Sequence, residues 1–168
     1  MSSETTVTGR PGAFETIVYG GLAVGILDFF DAWLFFGVYS GGGFQRVWHG
    51  VAAGVLGGEA ARAGGWNTAI LGIILHFVVS FGVAVVYFLA ASRFQFMIRQ
   101  PLVTGLIYGV IVHLVMKYVV IPFSAIGVVS AYTLPNALNS YIGHALLVGL
   151  PVALIASWSA RKSFSKRR

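Results

Sequence analysis

Residues 21–37 read Gly21-Leu-Ala-Val-Gly-Ile-Leu-Asp28-Phe-Phe-Asp31-Ala-Trp-Leu-Phe-Phe-Gly37. The stretch is apolar and, with the residues before it, long enough to cross a bilayer as a helix, yet it contains two carboxylates. Because Asp28 and Asp31 are three residues apart, a helix places them on one face. A membrane span accommodates ionisable side chains only where they find polar partners or water. The stretch therefore predicts a membrane helix that carries part of a polar site.

The composition of the whole chain excludes an ordinary soluble domain. Of the 168 residues, 57% are hydrophobic and 10% are charged, and the mean hydropathy is +0.84. Soluble domains contain about 25% charged residues. The 22 glycines fit closely packed membrane helices. The absence of cysteine excludes disulfides, cysteine-ligated iron–sulfur clusters and thioether-linked haem.

Four stretches are apolar and long enough to form membrane-spanning helices. They cover residues 14–37, 66–91, 101–121 and 141–159, and a basic tail follows at 160–168. We therefore predict an all-α, polytopic membrane protein. Its single domain, residues 1–168, is expected to be a bundle of four transmembrane helices.

The connection after the first span contains a further helical pattern. Its apolar residues recur at helical spacing: Phe44, Val47, Trp48, Val51 and Val55. This spacing predicts an extra short external helix lying in the membrane interface. His49 stands alone on that helix, and we expect it to be a surface residue.

The distribution of basic residues predicts the orientation. Four spans place both termini on one side, together with eight of the eleven Lys and Arg side chains, whereas the other side carries Arg46 and Arg62. The excess of positive charge predicts cytoplasmic termini. We expect the basic tail to lie against anionic lipid, with no nucleic-acid partner.

Six ionisable side chains lie in one half of the predicted membrane domain. With a helical rise of about 1.5 Å per residue, each lies about 3–9 Å outward from the middle of its span. They are Asp28, Asp31, His76, His113, Lys117 and His144. Stripes of small residues on the first three helices lead into them, so we expect them to face the bundle interior. Depth favours an ion pair of Asp31 with Lys117, and a hydrogen bond of Asp28 with His76 or His113.

Several chemical roles fit this cluster. An Asp/His cluster can bind or relay a proton or cation, because imidazole titrates near neutral pH and carboxylates supply charge. Asp28, His76 and His113 could ligate a divalent metal. His76 and His113, at nearly equal depth, could be the axial ligands of a b-type haem, with a glycine one turn before each to admit the porphyrin. The remaining interpretation is structural, with the side chains hydrogen-bonding across helices.

The sequence contains no signature of a soluble enzyme: it lacks a G-x-S-x-G elbow, a phosphate-binding P-loop and a dinucleotide fingerprint. We therefore name no catalytic residue, and favour a non-enzymatic protein without a bound cofactor. The lead prediction is a small membrane protein whose Asp/His cluster handles a proton or cation. The alternatives are an accessory or scaffold subunit of a membrane complex and a haem redox protein. Expected partners are the lipid bilayer and either other membrane subunits or further copies of this chain.

Short motifs along the chain also resemble a family. They include Gly64-Gly65-Trp66-Asn67-Thr68-Ala69, Pro101 with Gly105 and Tyr108-Gly109, Met116 with Val120-Ile121-Pro122-Phe123-Ser124, and Gly143-His144 with Gly149-Leu150-Pro151. On these residues the chain resembles a group of small four-span bacterial inner-membrane proteins of unknown function. The resemblance implies a four-span topology and a bacterial cytoplasmic membrane. It implies no substrate or cofactor.

Overall fold

The computed structural model describes residues 10–128, 131 and 133–165 of the chain, with side chains as far as residue 163. Four of its helices are long and apolar enough to span a membrane, as the sequence predicts. They are α1 (Glu15–Tyr39), α4 (Gly65–Arg93), α6 (Pro101–Phe123) and α7 (Leu134–Ser163). Three shorter helices connect them: α2 (Phe44–Leu56), α3 (Gly58–Ala63) and α5 (Phe96–Arg99). The all-α prediction is confirmed, since no strand occurs in the described residues.

The fourth span begins earlier than predicted. Its helix starts at Leu134, whereas hydropathy places the start at residue 141. The side chain of Thr133 caps this helix by accepting a hydrogen bond of 3.4 Å from the N–H of Asn136, and Pro135 lies in the first turn. The first turns are helical but polar, so a hydropathy criterion misses them.

Backbone contact at glycines brings the third and fourth spans together. A Cβ atom on Gly149 would overlap the backbone of Gly105 and Gly109. On the other side of the bundle, Gly21 and Gly25 of α1 receive the rings of Phe81 and Phe77. Small residues therefore determine how closely the helices approach.

The apolar core and the six ionisable side chains singled out by the sequence occupy opposite halves of the bundle. The core lies toward the connection between α4 and α6, and alanines form much of it, with larger side chains at Tyr87, Ile98 and Val152. The polar groups lie toward the end where α1 meets α2. In the polar half, side-chain contacts among the helices therefore hold the bundle together.

The extra helix predicted after the first span is present as α2, and it packs tightly on the second span, α4. A Cβ atom on Gly72 of α4 would overlap the carbonyl of Trp48 in α2. Trp48 is fully buried. His49 was expected at the surface, and this expectation is wrong: the residue is buried, and its Nε2–H donates a hydrogen bond of 2.8 Å to the carbonyl of Gly65. The close approach at Gly72 presses this face of α2 against α4 and so covers the imidazole.

Candidate functional site: a polar chain across four helices

Asp28 and His76 form the part of the site that joins α1 to α4. The Nδ1 atom of His76 lies 3.9 Å from Oδ2 of Asp28. The other ring nitrogen, Nε2, donates a hydrogen bond of 2.9 Å to the carbonyl of Gly25, one turn before Asp28. Ser80, one turn further along α4, donates to the carbonyl of His76. The imidazole is therefore held in place between two groups of α1.

The donor and acceptor roles of this pair follow from the Gly25 contact. A carbonyl only accepts, so the hydrogen of a neutral His76 ring is on Nε2. Nδ1 then presents a lone pair toward the carboxylate of Asp28, and both facing atoms are acceptors. One added proton removes this opposition: on the imidazole it gives a charge-assisted contact with the carboxylate, and on the carboxyl group it gives a neutral O–H donor facing Nδ1. The geometry is thus complementary to one bound proton.

Aromatic rings surround His76. The indole of Trp48 stacks on Phe29 with ring centroids 4.2 Å apart, and it lies edge-on to His76 at 5.4 Å. The Nε1 atom of Trp48 is buried and has no hydrogen-bond partner among the described residues. An unsatisfied buried donor costs about 1–3 kcal/mol, so a small ligand that offers an oxygen atom would be stabilised here.

Asp31 faces the fourth span rather than the second. Its Oδ2 atom accepts a hydrogen bond of 3.0 Å from Nδ2 of Asn139, and its carboxylate lies against Gly143. Among the described residues, a basic nitrogen lies within 4 Å of a carboxylate oxygen at Asp28–His76 and at Glu15–Lys162. The expected pair of Asp31 with Lys117 is therefore not formed, because Asp31 is turned toward α7.

The third and fourth spans contribute a second pair of imidazoles. The rings of His113 and His144 lie 4.9 Å apart, and Tyr141 packs on His113 at 4.8 Å. Lys117, one turn further along α6, is buried, with its Nζ atom 5.5 Å from the centre of the Tyr118 ring. The Nδ1 atom of His144 is buried without a hydrogen-bond partner in the described part of the chain.

The six predicted side chains form a connected series across the bundle. His76 meets Asp28, and Asp31 follows Asp28 by one turn of α1, with its carboxylate against Gly143, the residue before His144. The ring of His144 packs against that of His113, and Lys117 follows His113 by one turn of α6. In spatial order around the bundle, the series is His76, Asp28, Asp31, His144, His113 and Lys117. All four spans contribute at least one member.

π-helical turns adjoin this series in three of the four spans. They are Trp33–Tyr39, Met116–Val120 and His144–Gly149. The first begins two residues after Asp31, the second contains Lys117, and the third begins at His144. π-helical turns are rare and frequently accompany functional sites, because they change the direction of side chains at a cost in helix geometry.

The geometry also separates some of the predicted metal and haem ligands. The ring of His76 contacts Phe29, Trp48 and Phe77, and that of His113 contacts Tyr141 and His144, so the two imidazoles do not touch each other. Within the described ranges, no three His, Asp or Glu side chains converge in a way that would hold a metal ion.

Sequence reasoning missed three residues of the site: Trp48, Asn139 and Tyr141. The sequence predicts that Trp48 lies on a helix in the membrane interface, and Asn139 precedes the predicted start of the fourth span at residue 141. A polar asparagine one turn before an apolar stretch is a usable signal once that turn is recognised as helical.

No family model, no curated protein and no solved structure matches this chain.

Proposed function

We propose that this four-span protein binds an exchangeable proton in its Asp/His cluster and relays it along the series from His76 to Lys117. The observation that carries the proposal is the opposition of two acceptors, Nδ1 of His76 and Oδ2 of Asp28, while Nε2 donates to Gly25. The buried Nδ1 atom of His144, which has no hydrogen-bond partner among the described residues, supports it, because this imidazole nitrogen packs beside His113 and can hold or accept a proton.

A proton fits the site better than a metal ion or haem does. A ligating imidazole needs one nitrogen lone pair directed at the metal, with the other N–H held by an acceptor. The Gly25 carbonyl supplies that acceptor and Nδ1 faces Asp28, but no third His, Asp or Glu side chain of the described residues converges on this pair. His113 lies in a separate ring cluster with Tyr141 and His144 on α6 and α7.

The relay serves only one side of the membrane. In the opposite half, several hydroxyl groups donate to backbone carbonyls. Tyr108 donates to the carbonyl of Val83 at 2.7 Å, and Thr104 donates to that of Gln100 at 2.9 Å. Hydroxyl hydrogens held in this way are poor proton carriers. We therefore assign proton exchange to the side that carries α2.

We further propose that the protein resides in a bacterial cytoplasmic membrane with both termini in the cytoplasm. The bias of basic residues supports this orientation, which places α2 and the polar series toward the external side. A reporter fused after the last residue should be cytoplasmic, and one inserted at Gly42 should be external.

The fluorescence of Trp48 tests the proposed proton site. A variant with Trp33, Trp66 and Trp158 replaced by Phe retains Trp48 as its only indole, 5.4 Å from His76. Protonated imidazole quenches a neighbouring indole, so the emission of the purified protein should fall reversibly on acidification. Asp28→Asn should abolish this response, because the asparagine amide can donate to Nδ1 and satisfy it without a proton.

The matched control for this experiment is His113→Gln, which alters a histidine remote from Trp48. It should retain the quenching. If sodium or potassium salt changes the emission, acid does not, and Asp28→Asn abolishes the salt effect, then the bound ion is that cation and not a proton. An acid response that survives both Asp28→Asn and His76→Gln would overturn the proposed site.

A subunit of a membrane complex is a second candidate function, favoured by one groove. The groove, of about 390 Å³, contains Asp31 and Asn139 between α1 and α7, and exposed apolar side chains, including Leu138 and Ile142, form its walls. Polar groups open to lipid are costly, and a helix of another membrane subunit with a hydrogen-bond donor would cover them. Native mass spectrometry in mild detergent tests this function, which fails if the protein is released without partner chains from its native membrane.

A further inference from the structure

A basic cleft lies at the end of the bundle that carries α2. Its volume is about 550 Å³, and its lining includes Gly42, Gly43, Arg46, His49, Arg62 and Trp66. The cleft lies where α1 has ended at Tyr39 and α4 has just begun at Gly65, which is the level of lipid head groups if these helices cross a bilayer. It is separate from the series of ionisable groups proposed to bind a proton.

Two arginines from different helices face this cleft. Arg46 belongs to α2 and Arg62 to α3, and both side chains are exposed. Neither guanidinium lies within 4 Å of a carboxylate oxygen among the described residues, where such contacts occur at Asp28–His76 and Glu15–Lys162. Glu59, the nearest acidic residue in sequence, lies on α3 but does not line the cleft. The cleft is therefore positively charged.

The backbone at the edge of the cleft is held in a defined shape. The N–H groups of Gly42 and Gly43 donate to the carbonyls of Phe36 and Gly37, at 3.1 and 2.9 Å. Gly43 has a φ of +76°, which side chains other than glycine rarely adopt, and no side chain caps the start of α2 directly after it. The N–H groups of the first turn of α2 add to the attraction for an anion.

His49 connects this cleft to the rest of the bundle. Its hydrogen bond to the carbonyl of Gly65 ties α2 to the start of α4 and keeps the imidazole at the base of the cleft. Trp66, which is 60% exposed, contributes an aromatic wall, with its ring centroid 6.1 Å from that of Phe44. Tryptophan at this level is typical of residues that contact lipid head groups.

We propose that this cleft is a binding site for a phosphate or phosphodiester group. Arginine suits such a ligand because its planar guanidinium donates two parallel hydrogen bonds to phosphate oxygens, and two arginines from separate helices can hold opposite sides of one group. The phosphate is either the head group of a membrane lipid or a soluble anion from the adjacent aqueous phase.

Binding measurements on the full-length protein in a phosphate-free maltoside detergent distinguish these sources. The probes are dioleoyl phosphatidylglycerol, dioleoylglycerol as a lipid that lacks phosphate, and inorganic phosphate, each followed by native mass spectrometry. We expect Arg46→Gln and Arg62→Gln each to weaken binding about tenfold, a typical effect of losing one charge-assisted hydrogen bond. Arg93→Gln, at the opposite end of α4, is the matched control and should bind as the original protein does.

Each outcome decides the proposal. Binding of phosphatidylglycerol but not dioleoylglycerol, with loss in the two cleft variants only, assigns a lipid. Binding of inorganic phosphate that is likewise lost in the Arg46 and Arg62 variants assigns a soluble anion. In that case inorganic phosphate should also displace phosphatidylglycerol from the unmodified protein, which tests the assignment without any variant. If neither probe depends on Arg46 and Arg62 more than on Arg93, the site does not exist.

Discussion

The imidazole of His76 in α4 fastens α1 through Gly25, whose carbonyl accepts its Nε2–H at 2.9 Å. The same ring presents its other nitrogen to Asp28 at 3.9 Å. One side chain therefore serves two purposes: it links two membrane helices, and it forms one half of the proposed proton site. These roles predict different responses to substitution at the two positions.

His76→Ala should destabilise the protein more than Asp28→Asn does. The alanine removes a buried hydrogen bond and leaves a space among Phe29, Trp48 and Phe77, so we expect a loss of about 2–4 kcal/mol in the free energy of unfolding. Asp28→Asn keeps the shape and should change stability by less than about 1 kcal/mol. Unfolding of the purified protein in detergent measures both effects, and equal losses would contradict the linking role of His76.

Asn139→Leu should be more harmful than Asp31→Asn. The leucine removes the donor to Oδ2 of Asp31 and leaves a carboxylate without that hydrogen bond at the edge of the membrane domain, at a cost of about 1–3 kcal/mol. Asp31→Asn retains a hydrogen-bonded amide pair. The double variant Asp31→Leu/Asn139→Leu removes both polar groups and should recover most of the loss.

A double-mutant cycle on thermal stability, from Asp31→Leu, Asn139→Leu and the double variant, measures this coupling. Lys117→Met serves as its comparison, because depth in the membrane alone would have paired Lys117 with Asp31. Rescue of Asp31→Asn by Lys117→Met, with no coupling between Asp31 and Asn139, would contradict the observed contact.

The four spans could be predicted from sequence because a bilayer requires long apolar helices, and that requirement is visible in a single chain. The start of α7 could not be located by the same criterion, because Asn136, Asn139 and Ser140 are polar although they are helical. The capping residue Thr133 and the adjacent Pro135 were the better signal, since capping depends on local hydrogen bonds and not on hydropathy.

The membership of the polar series could also be predicted, whereas its partners could not. Depth and helical face place Asp28 and His76 in contact inside the bundle, whereas Asp31 is half-buried and lines the groove between α1 and α7. Which helix an inward side chain meets depends on the rotation and tilt of its neighbours, and periodicity within one helix contains no information about either. Asp31 therefore accepts a hydrogen bond from Asn139, whereas depth alone predicts a pair with Lys117.

Gly109→Ala should disturb the imidazole pair without changing either histidine. A Cβ atom at this position would overlap the carbonyl of His144, so α6 and α7 must move apart. Overpacking of this kind costs about 1–3 kcal/mol. Thermal unfolding measures the loss, and the separation of His113 from His144 should appear as a changed NMR shift of their ring protons. Unchanged shifts would show that the crossing adapts elsewhere.

Gly72→Ala tests the packing of α2, because the added Cβ would overlap the carbonyl of Trp48. The helix must retreat, which opens the stack of Trp48 on Phe29 and exposes His76 to water. We expect a loss of about 1–3 kcal/mol and a red shift of Trp48 emission in the single-indole variant. Gly82→Ala is the matched control in the same span, since no atom lies within 4 Å of its added methyl group. It should leave both properties unchanged, and an equal effect of the two substitutions would contradict a close contact between α2 and α4.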